Sequence, residues 1–129
     1  MNKSEIIQAL ADVTIPEGTT LTERTTSSGF TVARIGQGQI DGLKIMEARI
    51  FAESLARETS TLPDEPDGVF FETLHRAVIG FHQRMVNALI IEELKVESGE
   101  DYRKVVTRLR QIARDLGISY VEPKDPLIE

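Results

Sequence analysis

Apolar residues recur at helical spacing in four stretches of this chain, and in two of them they mark two faces of the same helix. The longest is Val69–Ser98. Its main stripe, Phe70, Phe71, Leu74, Ala77, Val78, Phe81, Met85, Ala88 and Leu89, covers about 120° of a helical wheel. Roughly opposite runs a narrower stripe of Ile79, Val86 and Ile90, spaced i, i+7, i+11. Asp67 suits the N-cap and Gly99 the C-terminal cap, which predicts one helix about 44 Å long. His75 and His82 share a flank between the stripes. Glu92 falls inside the main stripe, as expected where a stripe emerges into water at a bundle end.

Asp41–Thr59 repeats the two-face pattern. One face holds Ile45, Ala48, Phe51, Ala52, Leu55 and Ala56, and the other Leu43, Met46 and Ile50. Two apolar faces imply two packing partners. The last helix differs. Ser98 caps it, Asp101 completes a capping box, and Tyr102, Val105, Val106, Leu109, Ile112, Ala113 and Leu116 form a single stripe ended by Gly117. One apolar face predicts a peripheral helix. Ser4–Asp12, with Ser4 as cap and Ile6, Leu10 and Val13 on one face, is too short to persist in water without docking on other elements. Ile118–Val121 reads as a short strand, and Pro123 and Pro126 draw the remainder into an extended tail.

Between the first two helices the pattern weakens. Seven threonines fall between Thr14 and Thr31, and β-branched residues favour extended backbone. Ser27-Ser28-Gly29 suits a turn, so this part reads as a β-hairpin or, with its imperfect alternation, as an extended polar arm. Gly36, Gly38 and Gly42 resemble a phosphate-cradling loop only loosely. The third glycine of that pattern would be Asp41, whose carboxylate would repel phosphate, and Asp41 fits better as the next N-cap. Asp64, Glu65 and Asp67 in LPDEPDG lack the alternating oxygens and distal glutamate of a calcium loop.

Composition narrows the function classes. At 129 residues, with 40% hydrophobic and 28% charged positions, one globular domain spanning 1–129 is expected: a short helix and Thr-rich segment over 1–39, a helical core over 40–117 and a tail over 118–129. A net charge of −6 argues against general binding to nucleic acid or anionic membrane. The absence of cysteine excludes disulfides and zinc–thiolate sites. The N-terminal MNKSEIIQALADV does not read as a signal peptide, and the apolar runs fall far short of a membrane span. A cytoplasmic protein, or one inside an assembled particle, is the expectation.

Two constellations carry candidate chemistry. Glu72-x-x-His75 has the spacing by which bundle helices hold carboxylate–histidine metal centres, with Glu47 or Glu53 as further ligands. On the wheel, however, Glu72 and His75 lie about 200° and 140° from Phe70, off the interior face, and Arg76 stands at i+4 from Glu72. A pair of boundary histidines is the simpler reading of His75 and His82, and a pH-sensitive interface the sharper one. Arg103, Arg110 and Arg114 align on one flank of the last helix, suited to an acidic partner or to phosphate. Glu100, Asp101 and Asp115 dilute that flank.

The expectation is therefore a mainly α protein, a small helical bundle. Two long antiparallel helices would carry a third amphipathic one, with an N-terminal β-hairpin or extended arm. No catalytic residue or cofactor is expected. Six sizeable apolar residues on second faces, Leu43, Met46, Ile50, Ile79, Val86 and Ile90, would contribute on the order of 9–18 kcal/mol if buried. Unpartnered faces of that kind mark an interface. The chain is expected to act as a homo-oligomer or as a subunit with another protein. A metal protein using Glu72 and His75, and a DNA-associated regulator using the basic flank, are the alternatives.

Overall fold

In the computed structural model, residues 1–14, 21–25, 31–35, 50–88 and 92–125 are described, and they are mainly helical. Helix α1 is Lys3–Asp12. Strands β1 (Leu21–Thr25) and β2 (Thr31–Ile35) pair antiparallel, with Leu21 opposite Ile35 and Thr25 opposite Thr31. The expected turn at 27–29 and the glycines at 36, 38 and 42 lie outside the described residues. Helix α2 is described over residues 50–58, α3 is Gly68–Ala88 and α4 is Glu92–Asp115.

The N-cap of α1 lies two residues before the expected one. Asn2, not Ser4, takes the N-cap: its Oδ1 accepts from the Glu5 amide at 2.9 Å, while Glu5 Oε1 accepts from the Asn2 amide at 3.0 Å. This reciprocal box satisfies two donors that the first turn would leave bare. Lys3 then ties α1 to the end of α2, its Nζ donating to the carbonyls of Thr59 (3.0 Å) and Leu62 (2.8 Å). Docking of this kind, with Ile6, Ile7, Leu10 and Ala11 buried, is what a ten-residue helix needs to persist.

The single helix expected over Val69–Ser98 is instead two. Helix α3 ends at Ala88, and α4 begins at Glu92 and runs unbroken through Ser98 and Gly99. Apolar spacing reports burial of a face, not continuity of the backbone, and Leu89-Ile90-Ile91 extend the stripe across the junction in sequence. The division into two helices also promotes the last one. Far from peripheral, α4 packs against both α3 and α1. Asp67 caps α3 as expected, Oδ1 accepting from the Phe70 amide at 2.8 Å. Gly117 closes α4 with φ +69°; its amide donates to Arg114 O at 3.0 Å and that of Ile118 to Ala113 O at 2.9 Å. This is a Schellman closure, which requires the left-handed residue that glycine supplies without a Cβ clash.

One apolar core joins all four helices. Ile6, Ile7 and Leu10 of α1, Phe51 and Leu55 of α2, Phe70, Phe71, Leu74 and Val78 of α3, and Val105, Leu109 and Ile112 of α4 are buried. Phe51 and Phe81 join α2 to α3 with ring centroids 5.0 Å apart, and Arg84 donates to Ser54 Oγ at 3.1 Å across the same seam. Among the described residues, no helix is long and apolar enough to cross a membrane. Ile118–Val121 is not a strand. Residues 118–125 run as an irregular strap along α3 and α4.

Candidate functional site

That strap completes a polar seam. The chain has two histidines and two tyrosines, and all four meet here. His75 is buried on α3, and its Nδ1 lies 2.9 Å from the Tyr120 hydroxyl. Tyr120 stacks on Phe71 at 5.8 Å between centroids, and its hydroxyl also bonds Glu122, which in turn is ion-paired with Arg110 of α4. The Tyr120 hydroxyl thus sits between the His75 ring and the Glu122 carboxylate. One turn-pair further along, His82 stacks on Tyr102 with rings 4.3 Å apart and 14° from parallel. The Tyr102 hydroxyl bonds Asp125, which is itself buried.

The electrostatics follow from burial. Both imidazoles are held below their ordinary value of 6.5, chiefly because desolvation penalises the cation; nearby Glu122 and Asp125 oppose this for His75, and Asp125 for His82. Burial, then Glu122, pushes Tyr120 up to about 12, and burial with the Asp125 bond pushes Tyr102 up as well. The Arg110 guanidinium keeps Glu122 below the usual carboxylate range. At neutral pH both rings are therefore neutral. His82 Nδ1 is buried and has no hydrogen-bond partner among the described residues.

Over the seam lies an open cleft of about 580 Å³, rimmed by Arg103, Arg110, Lys124 and Glu122 with His75 and Tyr102 in its wall. A smaller pocket of about 40 Å³ lies beside His82, between Phe51, Phe81, Met85 and Tyr102. The smaller one has room for a few waters at most.

The residues singled out from sequence separate. Glu72 binds Arg76 at 2.9 Å on the exposed side of α3, while His75 turns inward to Tyr120, so the two address different partners. Among the described residues, no cluster of three or more metal-ligating side chains occurs. Arg103 and Arg114 are exposed, but Arg110 is held by Glu122. Of the second-face residues, Ile50 is 47% exposed and Val86 half-buried, whereas Ile79 is 7% exposed and belongs to the core. Leu43, Met46 and Ile90 lie outside the described residues.

The histidines were expected at a boundary and are buried instead. Their shared flank was legible, because seven residues are two helical turns. Their partners were not, because Tyr120 is 45 residues from His75 and arrives by a turn at Gly117. No protein-family model matches this chain, and no curated protein or solved structure matches it.

Proposed function

We propose that the protein is a non-enzymatic structural, assembly or adaptor protein that acts through helical faces, as a homo-oligomer or as a subunit of a larger complex. The observation that supports this reading is Ile50. It is 47% exposed, while Phe51, Ala52 and Leu55 on the same helix are 3%, 0% and 0% exposed. Leu43 and Met46 precede it at i−7 and i−4, the spacing of one helical face. A large apolar side chain left exposed on a helix that already has a buried face, preceded in sequence by two more at the same spacing, supports a partner surface. Ile79 is no part of that surface, and Val86 contributes only its exposed half.

In this reading α3 and α4 form an antiparallel pair within a small bundle, and the paired strands serve as an arm reaching a neighbour. The protein works inside the cell or within an assembled particle. Binding of nucleic acid by the flank of α4 is weakened because Arg110, although exposed like Arg103 and Arg114, is already ion-paired with Glu122. A carboxylate–histidine metal centre is disfavoured by the opposed settings of Glu72 and His75. Sedimentation velocity over a range of protein concentrations tests the proposal. Concentration-dependent association, or a stoichiometric complex with a co-purified subunit, supports it. A monodisperse monomer at every concentration, with no partner recovered, refutes it.

A further inference from the structure

Three cations stand around the open cleft, and their settings differ. Arg110 is ion-paired with Glu122 of the strap, whereas Arg103 and Lys124 make no ion pair among the described residues. The two carboxylates in the same wall are already engaged, Glu122 with Arg110 and the Tyr120 hydroxyl, Asp125 with the Tyr102 hydroxyl. In a chain of net charge −6 this makes a locally positive opening. Arg103, Val106, Thr107 and Arg110 occupy positions i, i+3, i+4 and i+7 of α4, so the cleft follows about 10 Å of one helical face.

Behind the cations the wall is more than a solvated surface. His75 is 3% exposed and Tyr102 7%, yet both line the cleft. Tyr120 engages Nδ1 of His75, which leaves Nε2 as the nitrogen that a ligand can reach. Val106 adds an apolar patch and Thr107 a hydroxyl. The volume, about 580 Å³, falls within the range of about 300–1,000 Å³ that small-molecule sites occupy.

We propose that this cleft binds a small hydroxylated anion, its carboxylate or phosphomonoester seated by Arg103 and Lys124 and its hydroxyls bonded to Thr107 and His75 Nε2. The charge belongs with Arg103 and Lys124 because Glu122 already neutralises Arg110. A guanidinium presents paired donors to a carboxylate or phosphate, and the lysine adds a point charge. An imidazole fixed by Tyr120 supplies the direction that two exposed cations lack. Inorganic phosphate can satisfy the cations without meeting that imidazole. The proposal does not rest on the outer face of α2.

Glycerol 3-phosphate and malate are suitable probes, one for each source of the charge, with inorganic phosphate and glycerol for comparison. Titrated into the isotope-labelled full chain at neutral pH, they are followed by backbone amide NMR. At least one probe is expected to saturate with a Kd of about 1 mM or tighter, with shifts centred on residues 102–110 and 122–125. Inorganic phosphate should bind about tenfold more weakly, and glycerol should not bind. Arg103→Glu and Lys124→Glu, both at exposed positions, should each weaken the probe at least tenfold with helical dichroism unchanged. Thr107→Val should weaken the probe and leave inorganic phosphate as it was. The proposal is overturned if neither probe saturates, if the shifts centre elsewhere, or if inorganic phosphate binds as tightly as the probe. It is equally overturned if both charge-reversed variants bind like the parent, or if Thr107→Val leaves the probe unaffected.

Discussion

Gly99 offers a substitution whose sign separates two descriptions of the chain. If Gly99 closed a helix in left-handed conformation, as its position after a long apolar stripe implies, an alanine there would be strained and destabilising. In the structure Gly99 lies inside α4, without positive φ, and an added Cβ would meet nothing within 4 Å. Alanine then lowers the conformational entropy of the unfolded chain and meets no clash in the fold. Gly99→Ala is expected to stabilise by about 0.5–1 kcal/mol. For a domain of this size that raises the thermal midpoint by about 2–6 °C. Gly117→Ala is the matched control. At φ +69° the same substitution should destabilise by roughly 1 kcal/mol. Urea and thermal unfolding followed by circular dichroism measure both. Destabilisation by Gly99→Ala would refute a continuous α4, whatever Gly117→Ala did.

Further outcomes follow from burial, capping and charge. Leu74→Ala, at a side chain 0% exposed in the centre of α3, should cost about 2–5 kcal/mol by urea titration, through lost transfer energy and a residual cavity. Asp67→Ala removes the acceptor of the Phe70 amide and should cost about 1 kcal/mol. Stability should fall as pH drops below 6.5. The folded protein holds both imidazoles below that value, so the unfolded chain binds more protons in that window; the slope is at most about 1.4 kcal/mol per pH unit for each histidine. Glu122, depressed by Arg110, adds a second loss below about 4.5. A flat stability profile from neutrality to that point would contradict the buried, neutral rings.

The core was largely legible in sequence because helical periodicity records which side chains leave water. Phe70, Phe71, Leu74 and Val78, and the Tyr102–Ala113 stripe, are buried where the spacing puts them. The caps at Asp67 and Gly117 were legible for a similar reason, since each solves a local hydrogen-bonding problem. The division into α3 and α4 was not, because two helices that follow one another in sequence can share one uninterrupted apolar period. Ile79 shows the same limit from the other side. A narrow second stripe looks unpartnered on one helix alone, yet its Ile79 is buried in the core once the chain folds. The seam depended wholly on tertiary structure. Nothing near His75 or His82 in sequence announces Tyr120, Glu122 or Asp125, which reach them only after α4 reverses the chain and Gly117 turns it.

The central claim, that the outer face of α2 is a partner surface, is tested most directly by placing a charge at Ile50. In Ile50→Glu a carboxylate replaces a side chain 47% exposed to water, so folding should be little affected and the thermal midpoint nearly unchanged. Burial against a partner would desolvate that charge at a cost of several kcal/mol. The account predicts that sedimentation velocity will show association lost or weakened at least tenfold, with helical content intact. Unchanged association in Ile50→Glu, alongside a normal fold, would contradict it.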